Sequence, residues 1–283
     1  MADVHLHFNW NHEELMDAPE VVARLRERNV VLAVVTATPM DNAVKLRRAG
    51  GDWIVPIASP YVEVLKRETW HIHPEVVPRV RTALESGEYF GIGEVHVISG
   101  YGPRRDNPVF LGLLELAREF GVPFMIHTDA SDYRFFESIC RAHPRVRFLW
   151  AHAGGQLGAD DVGALLESCD NVWVELSARD PWHYGKLTDA NGALLPGWPQ
   201  LLTRFADRFM TGTDPVWNAH QIQRWYEADE GWQHYARLND WHRQWIDQLP
   251  GDVQRLIRLE NAQRFFRETP DAEAQRRRDR SAD

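Results

Sequence analysis

Eight short apolar runs, each followed by an amphipathic stretch, are the feature that most constrains the fold of this chain. The runs predict strands at Asp3–Phe8, Val30–Thr36, Trp53–Ala58, Tyr89–Val97, Val122–Thr128, Val146–His152, Val172–Leu176 and Phe209–Thr213. Strands that alternate with helices predict a parallel sheet, and eight repeats favour its closure into a (β/α)8 TIM barrel. An open doubly wound sheet is the structural alternative. No G-x-G-x-x-G motif follows any of the strands, which argues against dinucleotide binding.

The pattern changes after the eighth run. Residues 219–249 are helical in character and rich in tryptophan, and a last amphipathic helix is predicted over Asp252–Phe266. We therefore expect a single α/β barrel domain over residues 1–266, with extra C-terminal helices. Residues 267–283 are highly charged, so a disordered tail is expected there.

Charge and hydropathy limit the partners that this chain can have. The net charge is −9, and no run of 18 apolar residues occurs. The acidic balance argues against a nucleic-acid or anionic-membrane binder, and the missing apolar run argues against a transmembrane helix. We expect a soluble protein that takes a small-molecule substrate, with neither nucleic acid nor membrane as a partner. A homo-oligomer is also compatible with the sequence.

The N-terminus and the two cysteines carry weaker signals. The first strand begins at Asp3, which is early for a barrel, so we expect that Met1 replaces an upstream segment. A cytoplasmic and a periplasmic location both stay open. Cys140 and Cys169 fall in two different predicted helices, and two buried free thiols are the simplest expectation for them.

Six side chains that can bind a metal lie at or near the ends of predicted strands. They are His5, His7, Glu94, His127, His152 and Asp214. Active sites of (β/α)8 barrels lie at the C-terminal strand ends, where such side chains converge. Imidazoles and carboxylates suit Zn²⁺, with Mn²⁺ or Fe²⁺ as alternatives, so a centre of one or two divalent ions is predicted. His96 has the same strand parity as Glu94, so it would face the same site.

Five motifs in this order resemble the amidohydrolase superfamily, in particular its amidohydrolase-related group. They are D-V-H-L-H-F at Asp3–Phe8, G-I-G-E at Gly91–Glu94, I-H-T-D at Ile126–Asp129, W-A-H-A-G at Trp150–Gly154 and G-T-D at Gly212–Asp214. The stretch E-N-A-Q-R-F-F at Glu260–Phe266 resembles the asparagine–alanine signature that closes these domains. The position of Glu94 is also similar to that in TatD-like hydrolases. The carboxylated lysine used elsewhere in the superfamily has no counterpart, because no lysine occurs in the fourth or fifth predicted strand.

The resemblance implies two alternative ligand arrangements. In the first, one ion is held by His5, His7 and Asp214, and a second ion is held by His127 and His152, with Glu94 as the bridge. In the second, a single ion is held by His5, His7, His127 and Asp214, and His152 acts as an acid, a base or a substrate-polarising group. Asp214 and His152 are the implied catalytic residues, with Asp214 taking a proton from a metal-activated water.

The activity implied by the resemblance is hydrolysis of a small ester, lactone or amide. A metal-dependent decarboxylase, which is a carbon–carbon lyase, and a TatD-like nuclease are the enzymatic alternatives. A barrel that binds metal or ligand without turnover is a further one. Candidates for substrate contact lie in loops that follow the strands: Tyr61, Arg67, Trp70, Tyr101, Arg104, Arg105, Trp182 and Trp217. Aromatic rings with a few arginines suit a compact substrate, and a carboxylate on it could pair with Arg67, Arg104 or Arg105.

Overall fold

A computed structural model describes residues 1–61, 68–100, 102–217 and 227–267 of the chain. Its eight parallel strands are β1 (Ala2–His7), β2 (Leu32–Thr36), β3 (Ile54–Pro56), β4 (Ile92–His96), β5 (Phe124–His127), β6 (Phe148–Trp150), β7 (Val172–Glu175) and β8 (Phe209–Met210). Each strand pairs with the next within two runs, β1 to β3 and β4 to β8. All eight predicted strands are therefore present, although most are shorter than the apolar runs.

Two further sets of backbone hydrogen bonds close the sheet into a barrel. Between β3 and β4, Ala58 pairs with Ile92 in a parallel bridge, and the Ala58 amide donates to the Gly91 carbonyl at 2.8 Å. Between β8 and β1, the Val4 amide donates to the Thr211 carbonyl, also at 2.8 Å. Every strand thus has two neighbours, and the open-sheet alternative is wrong.

Helices surround the barrel in the expected alternation. They are α1 (Trp10–Glu13), α2 (Ala18–Glu27), α3 (Asp41–Gly50), α4 (Val76–Glu85), α5 (Pro108–Phe120), α6 (Tyr133–Ala142), α7 (Ala159–Ser168) and α8 (Trp198–Arg204). Local sequence explains several of their ends. Asp17 caps α2 in a reciprocal capping box with Glu20, and Gly121 ends α5 in a left-handed conformation.

A register irregularity in β1 decides which way its histidines point. It lies between Asp3 and Leu6. Within it, Val4 packs in the barrel interior, whereas Leu6, at its end, packs with the side chains of α2 and α3. His5 and His7 consequently face the interior, next to the open end of the barrel. A similar irregularity lies between Ile92 and Val95 in β4, around Glu94.

The C-terminal elements are α9 (Gly231–Ile246), α10 (Gly251–Arg255), a π-helical turn (Leu256–Glu260) and α11 (Asn261–Arg267). The single last helix expected from the sequence is thus divided by the π turn. Phe265 packs into the interior cluster and closes the barrel on the side away from the site. The Asn261 side chain donates to the carbonyls of Ala206 and Phe209, which fixes the start of β8. Trp225 and the charged tail after Arg267 lie outside the described residues.

The two cysteines form a disulfide, so the expectation of free thiols is wrong. Cys140 is in α6, and Cys169 directly follows α7. Neighbouring helices of the barrel bring the two Cα atoms to 6.2 Å, which is a distance typical of disulfides. Sequence spacing does not reveal this pairing, because it depends on how α6 and α7 pack.

We expect reduction of this disulfide to lower the free energy of unfolding by about 3–4 kcal/mol, because it releases a loop that restricts the unfolded chain. The bridged residues are 29 apart in sequence. Urea unfolding with and without reductant measures the change. The double variant Cys140→Ala, Cys169→Ala is the control and should not respond to reductant. An unfolding midpoint of the native chain that reductant does not move would contradict this expectation.

Within the described residues, no helix is both long enough and apolar enough to cross a membrane.

Candidate metal centre

The six side chains predicted from the sequence converge at the C-terminal ends of their strands. Their donor atoms fall into three overlapping groups, within each of which the atoms lie no more than 4.8 Å apart. The groups are His5 with His7 and Glu94, His5 with His152 and Asp214, and Glu94 with His127 and His152. All six side chains are buried. Strands from opposite sides of the barrel therefore deliver four imidazoles and two carboxylates to one small volume.

Glu94 is at the centre of this cluster, and its two oxygens face different histidines. Its Oε1 atom lies 2.7 Å from His127 Nδ1 and 3.2 Å from His152 Nε2. Its Oε2 atom lies 3.4 Å from His7 Nε2 and 3.6 Å from His5 Nε2. A carboxylate arranged in this way can contribute one oxygen to each of two adjacent groups of ligands.

Asp214 follows β8 in a left-handed backbone conformation, with φ of 46°. Its amide donates to the His5 carbonyl at 2.8 Å, which ties it to β1. Its Oδ1 atom lies 3.3 Å from His7 Nε2 and has no hydrogen-bond partner among the described residues, although it is buried. A buried carboxylate oxygen without a partner is costly, and a bound cation would satisfy it.

The charges of this cluster depend on one another. Burial opposes the charged form of His5, but the carboxylates of Glu94, Glu175 and Asp214 outweigh burial and raise its pKa well above the usual value. Burial likewise opposes ionisation of Glu94, but the imidazoles of His96, His5 and His127 hold its pKa well below the usual value. The Asp214 pKa is lowered for the same reason. Both carboxylates are therefore ionised near pH 7, as metal ligands must be.

Two polar residues of the site were not predicted from the sequence. Glu175 ends β7 and is completely buried, with its Oε1 atom 2.9 Å from His5 Nδ1. Ser177 follows it and places its Oγ atom 2.8 Å from His152 Nδ1. The signal available in the sequence was a single acidic residue at the end of an apolar run, with no second residue at a characteristic spacing.

His96 and Asp129 lie beside the cluster. The His96 ring is 4.1 Å from the His127 ring, and its Nδ1 atom is hydrogen-bonded to the Tyr61 hydroxyl. His96 thus faces the site, as its parity with Glu94 predicts. The Asp129 Oδ2 atom lies 3.4 Å from His127 Nε2, and Asp129 packs so closely on Gly155 that a Cβ there would lie 2.8 Å from its carboxyl carbon.

The residues predicted to contact the substrate lie in different parts of the structure. Trp70 is buried in the hydrophobic core, and Arg104 pairs with Asp106 on the surface, so neither lines the site. Arg105 donates to Ser138 and lies over the Phe135 ring. Arg67 and Tyr101 lie outside the described residues.

An aromatic group at the rim includes two of those candidates. The Trp217 ring stacks on His234 at 3.8 Å, and Trp182 lies under the Arg237 guanidinium at 3.6 Å. Trp182 is 36% exposed. Trp182 follows β7 and Trp217 follows β8, so both lie in segments at the C-terminal strand ends, which is the side of the barrel that carries the cluster.

Solved structures of known proteins share the fold of this chain. An amidohydrolase from Burkholderia multivorans with bound zinc is 13% identical, with a TM-score of 0.55 over 94% of this chain and 99% of that one. A 4-oxalomesaconate hydratase from Rhodopseudomonas palustris is 13% identical, with a TM-score of 0.57 over 100% and 99%. A dihydroorotase from Campylobacter jejuni is 13% identical, with a TM-score of 0.53 over 94% and 82%. At such identities the likeness shows a common (β/α)8 fold.

A search among curated proteins finds no match. The amidohydrolase family, in contrast, matches residues 2–267, which is nearly all of the described chain and includes every residue of the cluster. The chain therefore belongs to the amidohydrolase family of enzymes.

Proposed function

We propose that this protein is a metal-dependent hydrolase of a small ester, lactone or amide. The observation that carries the proposal is the convergence of four imidazoles and two ionised carboxylates in one buried cluster. Taking so many polar groups out of water is costly unless something else satisfies them. The donor set, together with the unpartnered Asp214 Oδ1 atom, fits a divalent transition metal ion such as Zn²⁺, Mn²⁺ or Fe²⁺.

Two sets of side chains would hold two ions. One set is His5, His7 and Asp214, and the other is His127 and His152, with Glu94 contributing one oxygen to each. The two Glu94 oxygens face different pairs of histidines. This geometry favours two ions over a single ion. When bound, such ions polarise the scissile bond and lower the pKa of water enough for it to attack near pH 7.

The chain's own side chains would move the protons. Asp214 is placed to accept a proton from the attacking water, since its carboxylate has two oxygens and the one that does not bind an ion stays available as an acceptor. His152 would orient the electrophilic group or return the proton to the leaving group. Its ring is held from behind by Ser177 at Nδ1, so that Nε2 faces the cluster.

A small substrate fits the surroundings of the cluster better than a nucleic acid. The chain carries a net charge of −9, and among the described residues the rim contains Trp182, Trp217 and His234 together with Arg237. A nuclease has to neutralise several phosphates, which requires a basic groove. Aromatic side chains beside a site in an acidic chain suit a compact, partly apolar molecule.

The test compares chelated enzyme with enzyme reloaded with Zn²⁺, Mn²⁺ or Fe²⁺ on a panel of lactones, aryl esters and carboxylated amides. We expect turnover of at least one class that depends on the added metal. Carbon dioxide release from aromatic acids without hydrolysis would replace the proposal with the decarboxylase alternative. Metal-dependent cleavage of DNA at about 150 mM salt, with no turnover of the panel, would replace it with the nuclease alternative.

A further inference from the structure

We propose that Glu175 is a positioning residue that fixes the protons of two metal-ligating histidines, His5 directly and His152 through Ser177. The inference rests on the proposed function, because it assumes that His5 and His152 bind an ion. It assigns a role to a carboxylate that belongs to none of the three groups of possible metal ligands. Glu175 is wholly buried, and within the described chain its ion pairs are with these two histidines.

Glu175 determines which ring nitrogen of His5 carries the proton. Its Nδ1 atom lies 2.9 Å from Glu175 Oε1, and a carboxylate can only accept, so Nδ1 carries the hydrogen. In the neutral form that binds a metal, the lone pair is then on Nε2, which lies 3.6 Å from Glu94 Oε2 and 4.0 Å from Asp214 Oδ1. The Glu175 contact thus turns the metal-binding nitrogen of His5 into the cluster.

Glu175 acts on the ring of His152 through Ser177. Its hydroxyl donates to Glu175 Oε1 at 3.0 Å, so the Ser177 oxygen must accept from His152 Nδ1 at 2.8 Å. In the neutral form that binds a metal, His152 therefore also keeps its hydrogen on Nδ1 and presents the Nε2 lone pair to the cluster. One carboxylate on β7 sets the tautomers of two ligands, one in β1 and one in the turn that follows β6.

Glu175 also supports the backbone of the turn that carries His152. His152 and Ala153 both have left-handed backbones, with φ of 56° and 49°. Neither is glycine, so the turn needs support from its surroundings. The His152 amide donates to Glu175 Oε1 at 2.7 Å, which holds the turn in place.

Among the described residues, every group that is hydrogen-bonded to the Glu175 carboxylate is a donor. Besides the His5 ring, the His152 amide and the Ser177 hydroxyl, the Ser177 amide donates to Oε2 at 2.7 Å. A glutamine in this position would have to turn its NH₂ group toward at least one donor. Only a carboxylate, whose two oxygens both accept hydrogen bonds, fits this position. Space is also tight, since a Cβ at Gly212 would lie 2.4 Å from Oε2.

The test measures Zn²⁺ affinity by competition with a chromophoric chelator, together with the visible spectrum of the Co²⁺-loaded protein. We expect Glu175→Gln to bind Zn²⁺ about 10- to 100-fold more weakly than the native chain and to change the Co²⁺ spectrum. The control is Asp229→Asn, which changes a buried carboxylate in contact with His12, Trp217 and Gly231 but with none of the six cluster residues. Its Zn²⁺ affinity and Co²⁺ spectrum should be those of the native chain. Circular dichroism of the metal-free variants checks that both fold.

Native affinity and a native Co²⁺ spectrum in Glu175→Gln would overturn the inference. If that variant does not fold, Ser177→Ala decides, because it removes only the hydroxyl between Glu175 and His152. We expect Ser177→Ala to weaken Zn²⁺ binding, and an unchanged affinity would count against the inference. A native chain that binds neither metal would overturn the proposed function itself, and this inference with it.

Discussion

Replacing Asp214 by asparagine should lower kcat by about 10²- to 10⁴-fold, which is the range for loss of a general base. The carboxylate is ionised because the imidazoles of His5, His7 and His152 outweigh the effect of burial on its pKa. Asparagine has the same shape but cannot accept a proton from water at this position. It also tolerates the left-handed backbone of residue 214, so the fold should persist.

Steady-state kinetics with a substrate found in the panel, together with a thermal melt of the chelated protein, checks this expectation. The melting temperature of the metal-free variant should stay near that of the metal-free native chain, since any stabilisation by bound metal is absent from both. Asp240→Asn is a matched control, because Asp240 pairs with Arg28 on the surface of α9. Near-native kcat in Asp214→Asn would refute the role of Asp214.

Replacing Glu94 by glutamine should reduce the bound metal from two ions to one and lower activity by about 100-fold or more, as for loss of a group that stabilises charge in the transition state. An amide has a single acceptor oxygen, so it can serve either the His5–His7 pair or the His127–His152 pair. Glutamine also keeps the volume of the side chain, so the packing around β4 is retained.

Elemental analysis of Glu94→Gln beside the native chain measures this change. Glu88→Gln is the matched control, since Glu88 pairs with Arg48 on the surface, far from the strand ends that form the site. It should keep the native stoichiometry and activity. An equal number of ions in Glu94→Gln and the native chain would show that Glu94 does not bridge two ions.

The barrel and the six cluster residues could be predicted because both follow from local patterns. Eight apolar runs define the strands, and residues at their C-terminal ends must meet once the sheet closes. His5 and His7 needed one further feature, the register irregularity in β1, which the apolar pattern does not reveal.

The residues that sequence reasoning missed depend on packing between distant elements. Glu175 reaches His5 from two strands away, past Gly212, and the apolar pattern of its strand gives no sign of a polar partner. The Cys140–Cys169 disulfide depends on the packing of α6 beside α7. Trp70 was expected in a loop as a candidate for substrate contact, but it enters the core from a short 3₁₀ turn, Trp70–Ile72.

The central claim is that the cluster binds a divalent transition metal ion, and the metal content of the purified protein tests it most directly. We predict one or two equivalents of zinc, manganese or iron by elemental analysis, lost on dialysis against chelator and regained on reloading. The combined variant His5→Ala, His7→Ala should bind less metal than the native chain. A native chain without any of these metals, both as purified and after reloading, would contradict the account.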